Sequence, residues 1–380
     1  VISMQEDICW MRRALDLAQQ SVGVSSPNPA VGCVLVQRDG TVAGEGFHIY
    51  DELDHAEIVA LKQAAEKARG ATAYVTLEPC PHQGRTGPCA DALIRAGVAR
   101  VVVATGDPNP AVNGQGIEKL RAAGISVDVG VLCDDARAMN DGFAKHIRTG
   151  LPFVTLKAGV SLDGRIAPAP GSVGARKPYY ITSEASRAVV QQMRHASDAI
   201  MTGVGTVLAD DPLLTDRSGL PRRRPLQRVV LDSTLRLPTF SKLVETAKED
   251  LLVFCTDAAS DEKQHVLEDS GVRVERVAEK NGRVSLSAVL ERLGQMRILN
   301  LLLEGGAHLN SAAIHDNAVD KLSLFYAPVV IGDEGVPIFI ENVRIREALQ
   351  RITWKAIESD FRFEAYLQNP WHQEQLCLPG

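Results

Sequence analysis

Three side chains in the first quarter of the chain can do chemistry together only if the fold brings them to one point. They are His55, two residues before Glu57; Cys80, behind Pro79; and Cys89, behind Pro88. Zinc takes four tetrahedral ligands, and a site that does chemistry leaves one vertex for water. His55, Cys80 and Cys89 would fill the other three. Two thiolates cancel the metal's double charge, so such an ion acidifies its water less than an all-histidine site. Even that site reaches a pKa of only about 7. A base must therefore stand nearby, and Glu57 is the candidate general acid and base.

The spacing says where such a site can lie. Residues two apart do not share a helix face, but they can cooperate beyond a helix's first turn, because helical side chains lean toward the N-terminus. Asp54 reads as an N-cap and His55 to Arg69 as the helix, stopped by Gly70. Pro79-Cys80 follows the β-rich Ala73–Leu77 and should open a helix or turn. Cys89 starts a helix over Ala90–Ala96 that Gly97 ends, and helix N-termini favour thiolates. Two blander readings compete: packing cysteines, or a closed structural zinc with His82 as fourth ligand. A His-x-Glu triplet followed by Pro-Cys and a second Cys is the signature of zinc deaminases. That signature has two residues between its cysteines, and here eight intervene, Pro81 to Pro88.

At 380 residues two domains are the natural expectation. A net charge of −6 leaves no electrostatic footprint for nucleic acid, and Arg222-Arg223-Arg224, between Pro221 and Pro225, reads as a solvated loop. No apolar run reaches membrane-spanning length. Glu6 and Asp7 come early, without a signal-like apolar segment. Seven scattered cysteines make no disulfide framework. Cys9, Cys33, Cys133, Cys255 and Cys377 are expected to be reduced packing residues, which fits a cytoplasmic protein. We expect no nucleic-acid or membrane partner, and a homo-oligomer, dimer or tetramer.

Helical spacing runs from Met4 to Gln20, and strands are expected at Val31–Gln37 and Thr41–Gly46, joined by an Arg38-Asp39-Gly40 turn. Strand and helix then alternate through Val101–Ala104, a helix ending at Gly124, Ser126–Val129 and a last helix over Asp134 to Ile147. This pattern predicts an α/β/α layered domain whose opening hairpin makes its sheet mixed. The boundary falls at Arg148-Thr149-Gly150, giving domains 1–148 and 149–380. The second begins with the strand Phe153–Ala158 and a Gly/Pro-rich loop from Gly159 to Pro178. A helix Ser183–His195 follows, with strands at Ala199–Thr202, Arg228–Leu231, Leu251–Cys255, Val272–Val277 and Asn300–Leu303. The last strand runs through Glu304-Gly305-Gly306 into a helix from His308. A glycine pair there suits a phosphate, as bare amides face the ligand, and equally suits a plain tight turn.

The first half resembles the pyrimidine deaminase of bacterial riboflavin synthesis. The strings that carry this are Pro27-Asn28-Pro29-Ala30-Val31-Gly32, His55-Ala56-Glu57, Thr76-Leu77-Glu78-Pro79-Cys80, Gly84-Arg85-Thr86-Gly87-Pro88-Cys89 and Asp107-Pro108-Asn109-Pro110. The second half is similar to that family's fused reductase, through Leu156-Lys157, Ser161-Leu162-Asp163-Gly164, Gly205-Thr206-Val207-Leu208-Ala209-Asp210-Asp211-Pro212, Leu231-Asp232-Ser233 and Glu304-Gly305-Gly306. The resemblance implies a cytidine-deaminase-like domain with bound Zn2+, then a dihydrofolate-reductase-like α/β domain using NADPH. It implies two steps on a small phosphoribosyl-pyrimidine: hydrolytic deamination, then reduction of ribosyl to ribityl. It places Asn28, His82, Arg85 and Thr86 at the deaminase substrate. Gly159, Tyr180, Thr206, Asp210, Ser233 and Gly306 would meet NADPH, and Lys157, Arg194, Leu214, Arg217 and Glu304 the reductase substrate. Arg194 and Arg217 would be phosphate partners, since a guanidinium engages phosphate in bidentate fashion. Between Ala169 and Tyr180 the chain is longer than the family's usual segment, and Tyr180 stands where the family has tryptophan.

Overall fold

The computed structural model describes residues 3–82, 87–169, 171–172, 179–340, 343, 345 and 349–371. They form two compact units. The first runs to Thr149 and takes in Pro221–Arg223 and, among the described residues, Pro370 and Trp371; the second comprises the remainder from Gly150 to Asn369.

In the first unit the elements are α1 (Met4–Ser21), β1 (Gly32–Val36), β2 (Val42–Phe47), α2 (Ala56–Ala64), β3 (Thr72–Val75), α3 (Cys89–Ala96), β4 (Arg100–Val103), α4 (Gln115–Ala122), β5 (Ser126–Val129), α5 (Cys133–Met139) and α6 (Asp141–Thr149). The sheet order is β2-β1-β3-β4-β5. β1 is antiparallel to both neighbours, whereas β3, β4 and β5 run parallel, so the sheet is mixed, as the opening hairpin requires. Alternation along the strands divides the core between two faces. Val34, Val36, Tyr74 and Val102 pack with Met11, Ala14 and Leu15 of α1. Cys33, Leu35, Val75 and Val103 pack with Ala60, Leu93, Ile117 and Leu120 of α2, α3 and α4. Helix α2 lies unusually close to β2. A Cβ at Gly44 would stand 2.1 Å from the Ala60 carbonyl, and one at Gly46 would stand 2.4 Å from that of Ala56.

Three expectations about this unit need correction. The single helix over Asp134 to Ile147 is broken, because Asn140 accepts the Ala30 N–H at 2.8 Å and donates to the Ala30 carbonyl at 2.9 Å. That pairing turns the chain between α5 and α6. Cys133 is disulfide-bonded rather than a packing thiol. Asp54 does not cap α2, whose N-cap is His55.

The second unit contains β6 (Phe153–Ser161), β7 (Arg165–Ala167), α7 (Glu184–His195), β8 (Ala199–Gly203), α8 (Val204–Asp210), β9 (Gln227–Leu231), α9 (Lys242–Glu245), β10 (Leu251–Cys255), α10 (Asp261–Asp269) and β11 (Arg273–Arg276). It continues with β12 (Glu279–Lys280), β13 (Arg283–Val284), α11 (Leu286–Gln295), β14 (Asn300–Leu303), α12 (Ala307–His315), β15 (Lys321–Ala327), β16 (Val336–Pro337), β17 (Gln350–Ile357) and β18 (Asp360–Tyr366). A nine-stranded sheet runs β11-β10-β9-β8-β14-β6-β15-β18-β17. From β11 to β15 every pairing is parallel, and the β17–β18 hairpin closes that edge antiparallel. The all-apolar β10 is wholly buried, as a central parallel strand covered on both faces must be. Strands β15 to β18 lie beyond the last element the sequence analysis placed.

Candidate active sites

The chain enters α2 one residue later than Asp54 implies. His55 has the extended backbone of an N-cap (φ −75°, ψ 160°) and α2 begins at Ala56. The Asp54 carboxylate instead meets Lys62 at 2.5 Å, and its carbonyl accepts from His48 Nδ1 at 2.8 Å. His55 therefore stands at the mouth of the helix and Glu57 in its first turn, on the buried side. Cys89 is the first residue of α3, whose end is the left-handed Gly97, as expected. Cys80 opens no helix; it lies in irregular chain.

These elements bring the predicted donors together. The ligand atoms of His55, Cys80 and Cys89 all lie within 4.8 Å of one another. His55 Nδ1 is 3.2 Å from Cys89 Sγ and 3.6 Å from Cys80 Sγ, and the Cys89 amide donates to Cys80 Sγ at 3.3 Å. Among the described residues no other histidine, cysteine or carboxylate joins this group. His82, the possible fourth ligand, is exposed. Hydrogen bonding to Cys89 draws Cys80 down to about 4 against the cost of burial, while the same contact and burial push Cys89 up. One nitrogen and two sulfurs are a donor set that suits zinc.

Glu57 is 3 % exposed. Burial raises its carboxyl to about 7, with His55 opposing and Cys80 adding to the rise. The Asn28 side chain reaches His48, Nδ2 to Nε2 at 2.9 Å. His48 Nδ1 donates to the Asp54 carbonyl, so Nε2 accepts. The His48 ring stands edge-on to His55, centroids 5.4 Å apart. Arg85 and Thr86 lie outside the described residues. Sequence reasoning missed His48, whose partners are 20 residues before it and six after it. It quoted Asp107 only within a string, yet Asp107 is half-buried, and burial above all pushes its carboxyl up to about 6.

In the second unit, Lys157 on β6, Arg194 near the end of α7 and Glu304 after β14 form one part-buried cluster. Lys157 Nζ is 3.4 Å from Glu304 Oε2, while Arg194 Nε and Nη2 reach Oε1 and Oε2 at 2.8 and 3.0 Å. Burial works to raise the Glu304 carboxyl, but Lys157 and Arg194 outweigh it and hold it at about 2. Arg194 Nη1 also donates to the Thr215 carbonyl at 3.0 Å. Its guanidinium thus holds Glu304 and the loop after Leu214. Leu214 is buried, with φ +50°. Arg217 is exposed, its amide tied to Gln191 Oε1 at 2.8 Å.

Four of the expected cofactor contacts gather along one edge of the sheet. Gly159 lies in the C-terminal half of β6, Thr206 and Ser233 just after β8 and β9, and Gly306 just after β14. Open α/β sheets bind ligands outside such strand ends, where the strand order reverses. A Cβ at Gly306 would meet Thr206 Oγ1 at 3.5 Å, and one at Gly159 would meet Thr182 Cγ2 at 3.1 Å. Tyr180, two residues before Thr182, is exposed with the Arg187 guanidinium 4.8 Å above its ring. Asp210 stands apart. It ends α8, about 10 Å along the helix from the Gly203 turn.

Residues 4–105 match the family described as the cytidine and deoxycytidylate deaminase zinc-binding region, and residues 152–363 match the RibD C-terminal domain. The riboflavin biosynthesis protein RibD of Actinobacillus pleuropneumoniae is 41% identical over 349 residues, covering 92% of this chain and 91% of that protein. The protein of the same name from Escherichia coli (strain K12) is 42% identical over 341 residues, 87% of this chain and 89% of its own. Among solved structures, Acinetobacter baumannii RibD is 38% identical with a TM-score of 0.79, covering 96% of this chain and 99% of that one. A diaminohydroxyphosphoribosylaminopyrimidine deaminase/5-amino-6-(5-phosphoribosylamino)uracil reductase from Thermotoga maritima is 32% identical, with a TM-score of 0.78 and the same coverage.

Proposed function

The chain belongs to the RibD family of bifunctional riboflavin biosynthesis deaminases and reductases, and from that premise we propose which residues carry each step. The first step hydrolytically removes the exocyclic amine of 2,5-diamino-6-(5-phosphoribosylamino)pyrimidin-4(3H)-one. The second reduces the ribosyl unit of the resulting aminouracil to ribityl with NADPH.

His55, Cys80 and Cys89 are the residues that would hold zinc. Bound zinc supplies a Lewis acid and an acidified water. Glu57 is the general base and acid. Burial disfavours its charged form, which suits a group that must both take and return a proton. It passes that proton to the pyrimidine ring nitrogen and the departing ammonia. Asn28, held by His48, with His82, Arg85 and Thr86, orients the pyrimidine. The observation that carries this reading is the convergence of one nitrogen and two sulfur donors on one point, with the buried Glu57 two residues from His55.

NADPH supplies the hydride of the second step. Hydride transfer asks the protein for alignment rather than a nucleophile. The bare backbone at Gly159 and Gly306 lets the cofactor approach closely, with Thr206, Ser233 and Tyr180 around it and Asp210 at the rim. Lys157, held by the Glu304 that Arg194 also holds, meets the sugar, and Leu214 and the exposed Arg217 cover the substrate's phosphate end. A cytoplasmic homo-oligomer, dimer or tetramer, completes the reading; sedimentation of the purified protein tests the assembly.

The deciding experiment incubates purified, zinc-loaded protein with the pyrimidine substrate, with and without NADPH, and identifies products by mass. The deaminated compound is expected without NADPH and its ribityl derivative with it. Failure to consume NADPH with deaminated substrate would favour a deaminase whose second unit only binds. Absence of the deaminated compound would remove the first assignment.

A further inference from the structure

Glu78 is 3 % exposed, and its carboxylate faces four backbone amides. Oε1 accepts from Gly116 at 2.8 Å and Ile117 at 3.2 Å, and Oε2 from Gly114 at 2.9 Å and Asp107 at 3.1 Å. Every one of these contacts is a donor, so the receptor takes a group that only accepts. Three of the amides belong to the start of α4, where a helix leaves N–H groups without internal partners and favours negative charge.

The close approach depends on the absence of a side chain at residue 116. A Cβ there would stand 2.0 Å from the Pro79 carbonyl oxygen and 3.2 Å from Glu78 Cγ and Oε1. Glu78-Pro79 is thereby pressed against the opening of α4, and Cys80 follows at once in chain without regular structure. The Cys80 main chain is fixed from two sides, by this receptor before it and by the Ala90 amide, which bonds the Cys80 carbonyl at 3.1 Å.

We infer that Glu78 is a positioning residue for the metal site: its carboxylate, seated on four amides, sets where Cys80 presents its sulfur and where the Asp107 loop walls the pocket. This rests on the reading of His55, Cys80 and Cys89 as the ligands. Glutamine has the same shape but exchanges one acceptor oxygen for an NH2 group. Whichever way it turns, that group confronts two N–H donors, and the segment must move away from α4. Partners that orient metal ligands are worth about 10–100-fold in metal affinity.

The test measures zinc affinity of the full chain by chelator competition, together with the absorption spectrum of the cobalt-substituted protein, which reports ligand geometry. For Glu78→Gln we expect zinc to bind about 10–100-fold more weakly and the cobalt bands to shift. A residue that merely stabilised the fold would leave that spectrum alone. Either measurement unchanged overturns the inference. Should Glu78→Gln not fold, Gly116→Ala, which pushes on Pro79 and keeps the carboxylate, is judged by the same two readouts. Cys89→Ser in parallel separates the two claims. If it keeps stoichiometric zinc, the ligand assignment itself falls. If it loses zinc while Glu78→Gln binds normally, only the role of Glu78 falls.

Discussion

The two sites solve the problem of a buried charge in opposite ways. Around His55, Cys80 and Cys89 the fold gathers electron-pair donors and a buried Glu57. Around Glu304 the cations are covalently present: Lys157 and Arg194 neutralise the carboxylate from 3.4 and 2.8 Å. On the proposed assignment the first site is completed by an ion; the second is completed by its own side chains. The first should respond steeply to metal supply and the second to the loss of a single partner.

The sharpest way to break this contrast is Cys89→Ser. Metal and deamination should vanish together, with the first unit loosened because metal binding is coupled to folding, while reduction of pre-deaminated substrate continues; zinc analysis and the two separate assays read it out. Next comes Glu57→Gln, which should keep stoichiometric zinc and lose about 10²–10⁴-fold in deamination rate, again sparing reduction. Deamination at the normal rate would end the case for Glu57.

In the second unit, Glu304→Gln strips Lys157 and Arg194 of their counter-charge. Breaking a buried pair from one side costs about 3–5 kcal/mol, so thermal unfolding of this unit should move down strongly while zinc content stays constant. Acid probes the same cluster without mutation. Glu304 is held at about 2 in the folded chain, below its ordinary 4.5, so the unfolded state binds more protons between those values. Its contribution, about 3 kcal/mol by linkage, is fully present above pH 4.5 and lost as pH falls through 2. Denaturant titrations across that window should show stability rising with pH, and a Glu304→Gln background should remove this part of the slope. The smallest effect is expected from Ser183→Ala. Ser183 caps α7 by accepting the Ser186 amide at 3.2 Å, and its loss should cost about 1 kcal/mol on the helix that carries Arg194. An equal loss of deamination would contradict the independence of the two sites.

The donors of the first site were legible because they lie within 35 positions of one another and each abuts a turn or helix start that composition marks. What the sequence hid is what depends on distant partners. Asp54 looks like a helix cap until Lys62 takes its carboxylate. Asn140 looks like an interior helical residue until Ala30 binds its amide. His48 gains meaning only from Asn28 and Asp54. The trio of Lys157, Arg194 and Glu304 spans 147 residues; the family resemblance named its members, but only the fold reveals that two of them neutralise the third. The edge hairpin β17–β18 was obscured for another reason. Trp354, Ile352 and Phe361 are exposed, so apolar residues there do not mark an inward face.

The pairing of Asn140 with both backbone groups of Ala30 has a consequence for the order in which the protein is made. Ala30 lies two residues after Asn28, and its partner is 110 residues further along the chain. A nascent polypeptide can lay down β1, β2, His55, Cys80 and Cys89 while this loop still lacks its fastening. The loop that carries Asn28 is therefore fastened late in translation, after His55, Cys80 and Cys89 have left the ribosome, although it is encoded before them.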